Sequence, residues 1–218
     1  MDGALVPAWA CVGLLTGAAL AIPTRKLLVS RSTEVFPLKW VLSTITAVAF
    51  AILAWRLGDR FDLLPFSALA AGGVALGTVD VLERRLPSRL LLPVAAAVGS
   101  LLLASAAVHG TMSNLLQALA GMAVVAVAYL AIALVTGGEL GAGDVKLGGL
   151  LGLALGWLGW PELFAGTVLG WLVAAFSWLV LRTTGRLTRN ATLPMGPSLL
   201  LGALLAVCLS AMPDTRYL

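Results

Sequence analysis

The chain of 218 residues is 60% hydrophobic and 11% charged, with a mean hydropathy of +1.02, whereas a soluble domain carries about 25% charged residues. A chain of this size leaves too much surface exposed to hide that much apolar side chain in one core, so its solvent is lipid. The net charge of +4 and pI near 9.6 then belong to basic loops on the cytoplasmic side of a bilayer rather than to a nucleic-acid-binding surface.

Charged residues cut the chain into uncharged runs, which can be measured against the roughly 20 helical residues that cross a bilayer. The first run covers residues 3 to 24. It begins after Asp2 rather than after a basic segment and is too long for a signal-peptide core, so no cleaved signal is expected. Runs at 40 to 55 and 63 to 79 are short, and flanking Lys, Arg and Trp side chains complete the crossing by snorkelling. The run from 90 to 138 holds two helices, with His109, Gly110, Ser113 and Asn114 at the turn. The next run, 147 to 161, is stopped by Pro161 and is rich in glycine, so it reads either as a span or as a re-entrant segment. Runs at 163 to 181 and 190 to 213 complete the set. The expected fold is all-α, a polytopic integral membrane protein of about eight transmembrane helices in a single domain, 1–218, with a short cytoplasmic loop at 25–39.

Basic residues fix the expected orientation. Loops after spans one, three, five and seven hold Arg25, Lys26, Arg31, Lys39, Arg84, Arg85, Arg89, Lys146, Arg182, Arg186 and Arg189, and the other side holds Arg56, Arg60 and Arg216. Both termini are therefore expected outside, and the loops at 80–89 and 137–146 in the cytoplasm. Cys11 and Cys208 lie far apart in apolar runs, with no CxxC pair to suggest zinc or redox chemistry. Trp40, Trp55, Trp157 and Trp160 fall near span ends, as an aromatic belt would. Glu139 reads as a solvated loop acid and His109 as an interfacial loop residue. Asn190-Ala-Thr192 fits a glycosylation sequon on the wrong side of the membrane for that modification.

Two acids stand apart, because an unpaired carboxylate near lipid is costly. Asp80 closes the third span, and Asp144 opens the sixth in Gly141-Ala-Gly143-Asp144-Val-Lys146. Gly73, Gly77 and Asp80 share one helical stripe, and Asp144, Gly148, Gly152 and Gly156 share another. Small-residue faces let helices approach closely in lipid, so if the two stripes meet, the carboxylates meet. Two carboxylates in one site cannot both ionise easily; one keeps its proton while the other acts as base on a water. The same two residues also read as interfacial charges that merely end their spans.

These residues resemble the type IV prepilin leader peptidases, membrane aspartyl proteases with a GxGD motif. Gly141-Ala-Gly143-Asp144-Val-Lys146 looks like the family's second aspartate segment, and Asp80-Val-Leu-Glu-Arg-Arg-Leu-Pro87 like its first. Leu193-Pro194-Met195-Gly196-Pro197 resembles a short Pro-x-Gly-Pro motif opening the last span. The resemblance implies Asp80 and Asp144 as catalytic residues, with Gly141, Gly143, Lys146, Pro87, Pro194, Gly196 and Pro197 in supporting positions; from the residues themselves no metal or cofactor is expected. It implies removal of the basic leader from a prepilin-like or pseudopilin substrate whose apolar helix lies in the bilayer beside the enzyme. Family members that also N-methylate carry a larger cytoplasmic domain after the first span, often with paired CxxC motifs; the loop at 25–39 is short and cysteine-free, so cleavage without methylation is expected. Two other classes share some of these features: a proton- or cation-coupled transporter, and a non-catalytic membrane assembly protein. A transporter would place its carboxylates near mid-membrane.

Overall fold

The computed structural model describes residues 4–28, 38–137, 140–184 and 194–210. They form eight helices and no strand: α1 (Leu5–Leu27), α2 (Leu38–Leu57), α3 (Leu63–Glu83), α4 (Ser88–His109), α5 (Met112–Val135), α6 (Ala142–Leu158), α7 (Trp160–Thr183) and α8 (Gly196–Leu209). Six are long and apolar enough to cross a membrane, while α6 and α8 have 17 and 14 residues.

The helices extend past the uncharged runs because most charges at their ends suit the helix dipole. Arg25 and Lys26, Arg56 and Arg182 occupy last turns of α1, α2 and α7, where the carbonyl end is negative. Asp144 and Glu162 occupy first turns of α6 and α7. Pro161 does not end α6, as the sequence suggested; the break comes at Gly159, and Pro161 lies in the first turn of α7, where a missing N–H costs nothing. Likewise α6 begins at Ala142, ahead of the run that starts at 147.

Helix α6 is a continuous central helix, buried from Leu147 through Trp157. Its two ends are tied to opposite ends of α3. Trp157 Nε1 donates to Asp62 Oδ1 at 3.0 Å just before α3 begins, and Asp144 lies within electrostatic reach of Asp80 near α3's end. Trp157 is thus an internal tie at 5% exposure rather than a belt residue, unlike Trp40 and Trp55, which are exposed. Helix α8 runs between the same two ends. The Gly196 backbone bonds Asp80 at one end, and Arg56 donates to the carbonyls of Val207 and Ser210 at the other. Both short helices therefore traverse the bundle, and the chain is a multi-pass membrane protein. Eight of the described basic residues, Arg25, Lys26, Lys39, Arg84, Arg85, Arg89, Lys146 and Arg182, lie toward the Asp80 end, against Arg56 and Arg60 at the other.

The glycine stripes do bring backbones together, but not each other. Cβ atoms built on Gly73 and Gly77 would meet Leu200 and Pro197 of α8, whereas those on Gly148, Gly152 and Gly156 would meet Tyr129, Gly121 and Ala118 of α5. Helices α3 and α6 themselves touch sparsely. The close approach that glycine allows is used by α6 for its hairpin partner α5, and by α3 for α8, whose start must reach Asp80.

Candidate active site

Asp80 lies in the last turn of α3, where the exposed carbonyl end of the helix opposes an acid. It is 5% exposed, so its carboxylate needs compensation from elsewhere. That comes from α8: the backbone N–H of Gly196 donates to Asp80 Oδ2 at 2.9 Å, placing the acid at the positive end of a second helix. The contact requires glycine, since a Cβ at 196 would fall 2.8 Å from Oδ2. Pro197 follows in the first turn, where it sacrifices no hydrogen bond, and Pro194 lies half-buried just before the helix.

Asp144 is half-buried in the first turn of α6, three residues after the N-cap Gly141. Its carboxylate Oδ2 lies close over the N-cap residue Gly141. A Cβ at 141 would crowd that same oxygen at 3.2 Å. The charge of Asp80 acts on Asp144, and that of Asp144 reaches Tyr129, whose ring stands edge-on to Trp171 with centroids 6.0 Å apart.

The α3–α4 connection holds the two acids in register. Arg84 caps α3 in the left-handed region (φ 52°), its N–H donating to the Asp80 carbonyl at 2.7 Å. Leu86 lies directly on Gly143, where a Cβ would come within 2.7 Å of the Leu86 Cβ. Pro87 is the N-cap of α4, its carbonyl accepting the N–H groups of Leu90 and Leu91. Lys146 is exposed and donates to Ser88 Oγ at 2.7 Å, tying α6 to the start of α4. On the other side of Gly141 a cavity of about 620 Å³ opens, lined mainly by Leu130, Ala133, Leu134, Leu140, Val145 and Lys146.

Among the described residues no group of three or more His, Cys, Asp or Glu could hold a metal ion. His109 ends α4, with Nδ1 3.0 Å from the Ser105 carbonyl and its ring edge-on to Phe61 at the end remote from the acids. Glu139, Leu193, the 190–192 sequon and Arg31, Arg186, Arg189 and Arg216 lie outside the described residues.

Residues 67–181 match the Type IV leader peptidase family, over more than half of the chain. The chain belongs to that family. Among curated proteins, the Prepilin leader peptidase/N-methyltransferase of Bacillus subtilis (strain 168) is 30% identical over 165 residues, covering 74% of this chain and 62% of that protein. The chain thus spans less than two thirds of that relative's length. No solved structure is a significant match. The family match includes Asp80, Asp144 and the loop between α3 and α4, and ends before α8.

Sequence reasoning placed Gly196 in a motif without its task, the N–H bond to Asp80. It carried Leu86 only as part of the first aspartate segment and did not single out Ser88, since neither a leucine nor a serine beside a helix start carries any signal of which residue it will touch. Tyr129 was equally hidden, although a tyrosine in an otherwise apolar run, Ala128-Tyr129-Leu130, has a hydroxyl that must find a partner.

Proposed function

We propose that this family member is a membrane-embedded aspartic endopeptidase that removes the leader from type IV prepilin-like or pseudopilin substrates, with Asp80 and Asp144 as the catalytic pair. The observation that carries the reading is the pairing itself: two acids from α3 and α6, within reach of each other's charge at one end of the bundle, with Asp80 held by the Gly196 N–H. One carboxylate, ionised, takes a proton from a water that attacks the scissile carbonyl; the other, protonated, polarises that carbonyl. The proton then passes to the leaving amine as the peptide bond breaks. Asp144 is the acid with partial exposure and gives water its access.

The basic residues gathered at this end argue that it faces the cytoplasm, with both termini outside, in the cytoplasmic membrane of a prokaryote. The substrate's apolar helix lies in the lipid beside α5 and α6, and the cavity flanking Gly141 receives the apolar residues next to the scissile bond. The short, cysteine-free 25–39 loop argues for cleavage without N-methylation. A transporter reading is disfavoured because the acids lie at a helix end and a helix start, not at mid-span.

Co-expression with a candidate prepilin tests the proposal. A leader-sized mobility shift that disappears in Asp80→Asn and in Asp144→Asn is expected. Cleavage that persists in either variant sinks the assignment of the pair.

A further inference from the structure

We infer that Arg85 is a positioning residue for the Asp80–Asp144 pair, clamping the α3–α4 connection to the end of α1; the inference rests on the peptidase reading above. Positive charge on the cytoplasmic side would explain any arginine in this loop, so the case for Arg85 depends on what its guanidinium touches. Nη2 donates to the Leu27 carbonyl at 2.8 Å, and Nε donates to Glu83 Oε2 at 2.6 Å. Leu27 ends α1, and its carbonyl is among those at a helix C-terminus with no intrahelical partner. A planar fork with several donors can serve a helix carbonyl and a carboxylate together, which a lysine ammonium on a flexible stem does less well.

The clamp matters because the segment it holds is under strain. Arg84 adopts φ 52° with a full side chain, a conformation that persists where surrounding contacts enforce it. Contacts on three sides do so: the Arg84 N–H on the Asp80 carbonyl, the Arg85 fork on α1 and Glu83, and Leu86 seated on Gly143. Asp80 is one end of this segment, and Gly143, next to Asp144, is its landing point. Because α3 and α6 touch sparsely elsewhere, this short path sets their separation at the acids. Releasing Arg85 frees the turn to relax, lifts Leu86 from Gly143 and changes the distance between the carboxylates. Glu83, with its side chain at 8% exposure, is the buried half of the clamp and Arg85, at 46%, the exposed half. Removing Arg85 takes one partner from a covered carboxylate and so costs some stability, and the rates are therefore normalised to folded protein in the membrane.

The experiment compares Arg85→Gln, Arg85→Lys and, as a charge-matched control, Arg89→Gln, in membranes, by kinetics of prepilin cleavage. Arg85→Gln should lower kcat by roughly ten- to a hundred-fold with KM unchanged, as for a displacement of up to about an ångström at the reacting groups. Arg85→Lys should recover part of that loss, and Arg89→Gln should match the parent. Equal losses in Arg85→Gln and Arg89→Gln, or a raised KM with kcat intact, would instead make Arg85 one of several loop charges attracting substrate, and would overturn the inference. An activity-independent arm uses Ser88→Cys with Lys146→Cys, in a chain carrying Cys11→Ser and Cys208→Ser, joined by a short bifunctional methanethiosulfonate. Cross-linking should be efficient with Arg85 present and fall several-fold in Arg85→Gln; an unchanged yield refutes the clamp. If the parent chain cleaves no prepilin, the peptidase reading fails while the cross-link still decides whether Arg85 holds this geometry.

Discussion

The bond from the start of α8 to Asp80 offers the sharpest test of how the site is built. In Gly196→Ala the new Cβ would lie 2.8 Å from Asp80 Oδ2 and 3.4 Å from its Cγ. Ordinary contact requires that oxygen or the helix start to retreat by about 0.6 Å. Such a retreat stretches the 2.9 Å bond from the Gly196 N–H toward about 3.5 Å, where little hydrogen bonding survives. A hydrogen bond to a charged group contributes about 1.5–3 kcal/mol, and each 1.36 kcal/mol is about a factor of ten in rate. If the bond holds Asp80 in its reactive geometry, kcat should therefore fall by roughly ten- to a hundred-fold while KM and the amount of protein in the membrane stay near the parent's. Single-turnover cleavage of a prepilin in detergent or nanodiscs, normalised to folded enzyme, measures this directly. Gly202→Ala provides the contrast. Its Cβ would fall 2.2 Å from the Gly170 backbone nitrogen, so it should overpack the α7–α8 contact at a cost of about 1–3 kcal/mol and reduce the yield of folded protein instead of the rate per folded molecule. Near-parental kcat in Gly196→Ala would refute the role assigned to α8.

Asp80→Asn and Asp144→Asn should each abolish cleavage while the protein still accumulates in the membrane, and the double variant should be no worse than either, as for residues that act as a unit; endpoint cleavage with long incubation checks this. Trp157→Phe removes the bond to Asp62 and should lower the thermal midpoint, at a cost of about 1 kcal/mol, leaving kcat unchanged. Ala133→Trp projects bulk into the cavity beside Gly141 and should raise KM several-fold with little effect on kcat. Mature substrate released by the enzyme should carry a free N-terminal amine by mass spectrometry, and a product about 14 Da heavier that depends on this chain alone would show methylation.

Much of the fold was legible because lipid demands long apolar helices, and their number and rough limits follow from where charge interrupts them. The limits were misplaced wherever a charge suits a helix end. Lys146, Glu162 and Arg182 all lie within helices, since arginine and lysine reach the interface along their own stems and acids in a first turn meet the positive end of the dipole. Asp80 stood out for the opposite reason. Asp80 lies at the end of a helix where an acid is electrostatically misplaced, and such a residue needs a partner that the local sequence does not supply. What could not be read was the partner. Gly73 and Gly77 predict a close neighbour equally well whether it is α6 or α8, because small residues specify distance and not identity.

That ambiguity bears on how the pair is assembled. Were the acids joined by two glycine faces, their separation would follow from packing along the whole length of α3 and α6, and a single alanine in either stripe would push the carboxylates apart. In the structure Asp80 is instead held by the Gly196 N–H at the start of α8, Asp144 lies against Gly141 at the start of α6, and the Leu86–Gly143 contact joins the α3–α4 connection to α6. Alanine at Gly152, whose Cβ would meet the Gly121 carbonyl at 2.6 Å, should accordingly damage the α5–α6 hairpin and the yield of protein. Alanine at Gly143 or Gly196, at the helix starts, should damage the reaction. A backbone amide has no rotamer to lose, so the start of α8 fixes the Asp80 carboxylate more rigidly than a side-chain partner would, and the proposed sharing of one proton between Asp80 and Asp144 depends on such a fixed separation.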